Sequence, residues 1–368
     1  MSRRLVPLLT LTVLGVLTLA ALTLSVNTDK AAHIVTSYHR AKPHYPGNPY
    51  GAPEYGFGGY SSNRLTTEIG AQWRVPKISP QSSEGNATTW IAVQNDQRQF
   101  IQLGTFENKT NGVAQYQIFW SDVTVSFHPQ QLLEVNAGDL INFKMVQSSR
   151  GWRLSFDDLT ETTHETITIP YARGSVFMSA QWIQEDPTIG GLSTHLPYPS
   201  IAAPTFAHMT LDNRSPQLAR NDGQVLSTAD GVFLVPSLVN HDQFTFTNAT
   251  GPARQYLQDV FAFNAALYPL QIDVFYNRSP SKAVLRHIQA TLATLDVKLK
   301  TQTWPTNLLT SVKGDAQAVD AYVKLFGHFT VSPKPMSETE LQQLETIPLH
   351  YDPVIDQLRF QLGLPPGR

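Results

Sequence analysis

Few side chains in this 368-residue chain have the types and spacing needed for chemistry. The 11 histidines include no His-Glu-x-x-His or His-x-x-x-His pair, and His164-Glu165 lacks the second histidine that a zinc peptidase needs. With no cysteine there is no thiolate nucleophile, thiolate zinc site or disulfide. Asp-Thr-Gly, Asp-Ser-Gly, Gly-x-Ser-x-Gly, Walker and Gly-x-Gly-x-x-Gly patterns are all missing. Adjacent carboxylates remain at Asp157-Asp158 and Glu185-Asp186, a pattern whose ordinary setting is a solvated turn. One amide also stands out: Gln102 lies between Ile101 and Leu103 in an apolar run, where a buried polar group needs a partner. Gln181, Ile183 and Glu185 alternate, and in a strand they share a face.

These groups need a rigid frame, and the pattern around them is that of strands. Runs rich in β-branched and aromatic residues recur at 70–75, 88–93, 100–106, 116–120, 123–127, 140–146, 152–156, 165–169 and 176–183. Asn136-Ala-Gly-Asp139 and Ser148-Ser-Arg-Gly151 supply turn signals between them. This density of short strands predicts an all-β sandwich or barrel over residues 60–212. Residues 213–250 read as transitional, with strands expected at 232–235 and 244–246.

Beyond residue 250 the period changes, and 251–368 reads as a mainly helical domain of unassigned role. Leu257 to Tyr268 predicts a helix ending before Pro269. Val284, Ile288, Leu292, Leu295 and Leu299 predict a second, capped by Ser279-Pro280. Val319 to Phe326 predicts a third, closed by Gly327. Ser337-Glu-Thr-Glu340 reads as a capping box, and a last helix opens at Asp352-Pro353 and closes at Gly363 and Pro365.

The chain opens with Arg3-Arg4 followed by an uncharged stretch from Leu5 to Val26. Its length is close to the roughly 20 residues that span a bilayer. Residues 1–26 therefore read as a signal peptide or membrane anchor that sends the rest outward, secreted or tethered. Residues 27–59, rich in Pro, Gly and Tyr toward their end, read as a linker.

Taken in order, the motifs of 60–212 resemble the glutamic peptidases of the eqolisin family. They are Tyr60-Ser-Ser-Asn63, Trp73-Arg-Val-Pro76, Thr89-Trp-Ile91, Ile101-Gln-Leu-Gly-Thr105, Gly138-Asp139 and Ser179-Ala-Gln-Trp-Ile-Gln-Glu-Asp-Pro187. Leu196-Pro197 and Thr205-Phe206 look like the closing segment. The resemblance implies a mainly β fold, a two-sheet antiparallel concanavalin-like β-sandwich, and an acid-acting endopeptidase of polypeptide substrates. It implies Gln102 and Glu185 as the catalytic pair, converging on one water with no metal or other cofactor. Glu185 would take the water's proton, and the Gln102 amide would donate to the developing oxyanion. Trp90, Phe119, Trp120 and Gln181 are the expected substrate-binding residues. Three family carboxylates are missing: Gln94, Ser121 and Gln181 stand where the family has Asp, Glu and Glu. That loss motivates the alternative of a non-catalytic module binding peptide or carbohydrate.

The composition fits work in acid. Only 15% of residues are charged, with 27 Lys and Arg against 29 Asp and Glu. The net charge of −2 argues against nucleic acid as a partner. Once acid protonates the carboxyls, a chain with few Lys and Arg repels itself less, so an acid-stable protein is expected.

Overall fold

The computed structural model describes residues 56–95, 99–122, 126–170, 176–187, 197–228, 230–275, 281–331 and 357–365. They fall into a β unit, Tyr55–Asn248, and a helical unit that includes Ala249–Arg368.

The β unit is a sandwich of two sheets whose facing strand pairs are antiparallel. Among the described residues, one sheet runs β12(Gly223–Gln224), β1(Phe57–Ser62), β10(Phe177–Glu185), β3(Gly85–Asn95), β4(Phe100–Thr110), β5(Val113–Asp122), β6(Ser126–Glu134). The other runs β13(Leu226–Ser227), β14(Phe233–Pro236), β15(Phe244–Asn248), β11(Thr205–Leu211), β2(Glu68–Arg74), β7(Leu140–Ser148), β8(Gly151–Asp158), β9(Thr163–Ile169). Alternation along each strand sends one set of apolar side chains between the sheets. Trp73 stacks on Phe143 at 4.1 Å, Phe206 stacks on Phe244 at 4.9 Å, and Trp152 meets Phe177 edge-on at 5.1 Å. Two of the buried indoles find acceptors: Trp73 donates to Thr105 Oγ1 (3.0 Å) and Trp182 to the Gly70 carbonyl (3.1 Å).

Three sequence expectations need correction here. The segment 213–250 is not transitional, because β12 to β15 complete both sheets. The strands expected at 232–235 and 244–246 are β14 and β15, whereas β12 and β13, two residues each, are too short for alternation to show. The linker ends earlier than expected, since Phe57–Gly59 already pair with β10. The run at 123–127 lies partly outside the described residues, and the sixth strand extends to Glu134.

The helical unit contains α1(Gly251–Phe275), α2(Lys282–Thr301) and α3(Leu309–Val331). α1 continues through Pro269, so the proline removes one backbone donor without ending the helix. α3 continues through Gly327, where a Cβ would meet the Gln289 side chain at 2.9 Å. This glycine serves close packing rather than a stop. The expected apolar stripe of α2 is buried, and its cap is Ser281, whose Oγ accepts from the Val284 N–H. Ser279-Pro280, Ser337–Glu340 and Asp352-Pro353 lie outside the described residues. The final helix closes at Gly363 (φ +76°) with Leu364 N–H on the Arg359 carbonyl, a Schellman turn. No helix among the described residues is long and apolar enough to cross a membrane, and Leu5–Val26 lies outside them.

Charges are buried in both units. In the sandwich, Glu107 takes a hydrogen bond from Thr105 Oγ1 (2.6 Å), and burial pushes its carboxyl well above the usual range. In the helical unit, burial and then the nearby charge of Asp259 push Asp315 up to about 7, against the pull of Arg359. A buried carboxyl of this kind keeps its proton in the folded state after the unfolded chain has released it at about pH 4. Its destabilising effect therefore grows as pH rises from about 4 to 7 and is absent in acid. Asp315→Asn should raise the thermal midpoint at pH 8 and leave it nearly unchanged at pH 4. An equal shift at both pH values would contradict the protonated state of Asp315.

Candidate active site

β3 lies between β10 and β4 and is buried on both faces. Its inward set, Thr89, Ile91 and Val93, faces the sandwich core. Its outward set is Thr88, Trp90, Ala92 and Gln94. The register places each of these between partners. Glu185, Thr88 and Phe106 form one row; Ile183, Trp90 and Gly104 the next; Gln181, Ala92 and Gln102 the third; Ser179, Gln94 and Phe100 the fourth. On β5, Phe119 extends the Trp90 row and Ser121 the Gln102 row.

Trp90, Phe119 and Ile183 form an apolar cluster separate from the inter-sheet core, with Phe57, Phe100 and Phe106 packed against it. Phe57 and Phe100 meet the Trp90 ring edge-on at 6.2 and 5.6 Å. Gly104 permits this arrangement, because a Cβ there would lie 2.6 Å from the Trp90 Cβ and 2.1 Å from the Thr89 carbonyl oxygen. The indole N–H of Trp90 donates to Glu185 Oε2 at 2.6 Å, and Thr88 Oγ1 donates to the same oxygen at 3.1 Å. Glu185 is thus a half-buried carboxylate held by two donors on the outer face of the sheet.

Two rows along, the chemistry is neutral. Gln102 Nε2 donates to Ser121 Oγ at 2.7 Å. Gln102 Oε1 is shut off from solvent and accepts no hydrogen bond. Gln181 Nε2 reaches Ser179 Oγ at 3.4 Å and Gln94 Oε1 at 3.5 Å.

The register places both members of the expected dyad on one sheet and one face: Gln102 and Glu185 stand on the two strands that flank β3, four residues apart along it. The residue level with Gln102 is Gln181. Parity was readable from the sequence, but the axial level depends on strand register, which one sequence does not reveal. The expected role of Trp120 is corrected: it sits on the opposite face from Phe119 and packs against the inter-sheet core. Trp90, Phe119 and Gln181 do lie on the outer face. Sequence reading missed Thr88, Phe57, Phe100 and Phe106. Thr88, Phe100 and Phe106 share the parity of Trp90 and Gln102, while Phe57 was masked by its place in an apparent linker. Among the described residues no cluster of His, Asp and Glu has the form of a metal site.

Residues 56–250 match the model of the Peptidase A4 family, and the chain belongs to that family. It is accordingly a peptide-bond hydrolase of the glutamic endopeptidase type. Among solved structures it is similar to scytalido-glutamic peptidase with a transition-state-analogue inhibitor, at 16% identity and a TM-score of 0.43, covering 52% of this chain and 98% of that one. A second is SCP-B, a member of the eqolisin family in complex with the tripeptide Ala-Ile-His, at 16% identity and a TM-score of 0.40, again covering 52% and 98%. A third is aspergilloglutamic peptidase from Aspergillus niger, at 20% identity and a TM-score of 0.36, covering 45% and 99%. No curated protein matches the chain.

Gly104→Ala tests the packing that seats Trp90 under Glu185. The added methyl meets backbone and Cβ atoms that have no room to move, so a loss of about 1–3 kcal/mol in urea unfolding is expected. An unchanged midpoint would contradict the close approach of β3 and β4.

Proposed function

We propose that this chain is an acid endopeptidase working outside the cytoplasm, with Glu185 as its proton-transfer group. The observation that carries this is the placement of Glu185. It is a carboxylate fixed by Trp90 and Thr88 on the outer sheet face, beside an aromatic cluster that suits the side chains of a polypeptide. Glu185 takes a proton from an attacking water and returns it to the leaving amine. The Gln102 amide, on the same face of the sheet, donates to the oxyanion that develops on the scissile carbonyl. Export by residues 1–26, cleaved or retained as an anchor, is supported by the basic start and the uncharged run behind it. Action in acid is supported by the low charge content and by buried carboxyls in both units that favour the folded state at low pH.

A second reading is favoured by one observation: the row of Gln102 holds only neutral groups. On that reading the same face binds extended peptide without turnover.

The full chain and Glu185→Gln should be assayed on a denatured protein between pH 3 and 6. Loss of a proton-transfer group typically costs 10²–10⁴-fold in turnover, and a fall of about that size is expected. Cleavage unchanged by Glu185→Gln would remove Glu185 from the chemistry. Peptide binding by the unmodified chain with no cleavage at any pH would favour the binding reading.

A further inference from the structure

The inner face of the same strands carries a second polar set that the hydrolytic reading leaves without a task. Trp73 on β2, Thr105 and Glu107 on β4, Thr89 on β3 and Gln184 on β10 are each at most 1% exposed. The Trp73 indole N–H donates to Thr105 Oγ1 at 3.0 Å, and Thr105 Oγ1 donates to Glu107 Oε1 at 2.6 Å. Thr89 Oγ1 donates to Gln184 Oε1 at 2.7 Å and also interacts with the Glu107 carboxyl. The set thus reaches from one sheet across the sandwich to the residue beside Glu185.

A threonine hydroxyl has one proton to donate. Thr105 gives its proton to Glu107, and Thr89 gives its proton to Gln184. Glu107 Oε2 is shut off from solvent and makes no hydrogen bond. An ionised carboxyl here would have one donor for two oxygens, a costly arrangement in the core. A proton on Oε2 removes that cost, and Thr89 Oγ1 can accept it while still donating to Gln184. Burial holds this proton on Glu107 well above the usual carboxylate range, and no cation pairs with Glu107 among the described residues. The other titratable and charged groups at this end of the core are Tyr198, Asp186 and Lys109, with Asp230 at the surface. Tyr198 is a buried phenol that feels the charges of Glu107, Asp186 and Asp230, and Lys109 gives its ammonium to the Pro80 and Ser82 carbonyls at 2.7 Å. The facing sheet contributes the Trp73 indole.

We propose that Glu107, as the neutral acid, is a positioning residue for hydrolysis: its O–H completes a relay from Trp73 through Thr105, Glu107 and Thr89 to Gln184, which pins β10 from inside while Thr88 and Trp90 hold Glu185 from outside. Loss of the Glu107 proton reverses one link. The ionised carboxyl then takes the Thr89 proton, Gln184 Oε1 loses its donor, and the adjacent Glu185 loses its fixed level. The relay rests on the reading of Glu185 as the proton-transfer group, and it gives the enzyme a built-in upper limit of pH.

The test follows kcat, KM and amide hydrogen exchange, corrected for intrinsic rates, in the full chain from about pH 4 to about pH 9. In the unmodified chain, kcat and the protection of β10 should fall together above the ordinary Glu range of about 4, while KM and the protection of β8 hold. Glu107→Leu lacks the O–H and should lose about 10–100-fold in kcat even in acid, the scale of a small misplacement of a reacting group. Glu107→Gln, whose amide N–H replaces the O–H at every pH, should restore kcat and carry it to higher pH than the unmodified chain. If Glu107→Leu does not fold, Thr89→Val cuts the same relay and should lower β10 protection already at pH 4. Alkaline limbs that superimpose in Glu107→Gln and the unmodified chain, or protection lost equally from β10 and β8, would overturn the relay. Glu185→Gln separates the two proposals. If it leaves cleavage unchanged while β10 protection still follows Glu107, the chemical role of Glu185 fails and the relay stands as the pin of β10. If it stops cleavage while Glu107→Gln loses β10 protection as the unmodified chain does, the relay alone fails.

Discussion

Everything on the outer face follows from how β3 is paired. Its position between β10 and β4 buries it on both faces, so each of its residues is committed either to the sandwich core or to the site. Moving β10 by one residue along β3 would exchange Glu185 and Gln181 for Gln184 and Ala180 on the outer face. The register is held from several sides: Trp182 donates to Gly70 across the sandwich, Thr89 donates to Gln184 at 2.7 Å within the core, and Trp90 and Thr88 hold Glu185. Gly104 and Gly59 add a steric lock, since a Cβ at either would strike backbone atoms of the neighbouring strand. The outcome is a face on which a held carboxylate and a neutral amide pair occupy different rows.

That separation gives the missing charges a meaning. Gln94, Ser121 and Gln181 are not scattered losses; they collect around Gln102 in two adjacent rows, with Gln181 reaching Gln94 and Ser121 bonded to Gln102. Carboxylates placed there would compete with Glu185 for protons and would change the field as pH changes. Neutral amides keep that part of the face the same through the acid range. The two buried carboxyls, Glu107 in the sandwich and Asp315 in the helical unit, act in the same sense: each retains its proton when folded, and each makes its own unit better suited to acid than to alkali.

Much of this was legible in the residues. β-branched alternation located most strands of 60–212, and the stripe from Val284 to Leu299 is the buried side of α2. Parity was legible too: Phe119 and Trp120 are adjacent in a strand and so face opposite ways, which already precluded a shared cleft. What could not be read was any property set by distant partners. The two-residue strands β12 and β13 carry too little alternation to announce themselves. Pro269 and Gly327 look like helix ends, yet both lie inside helices, Gly327 where close packing against Gln289 requires it. The level of Gln102 against Glu185 is a register, and a register exists only once strands pair.

The central claim is that Gln102 and Glu185, on one face of one sheet, serve a single hydrolytic step. A double-mutant cycle on kcat/KM, using Gln102→Ala, Glu185→Gln and the combined variant, tests it most directly. Groups acting on one water lose nearly everything when either is removed, whereas groups that act apart contribute additively. The account predicts a combined variant little worse than Glu185→Gln alone. Logarithmic losses that sum in the combined variant would contradict it and place the two residues at separate points.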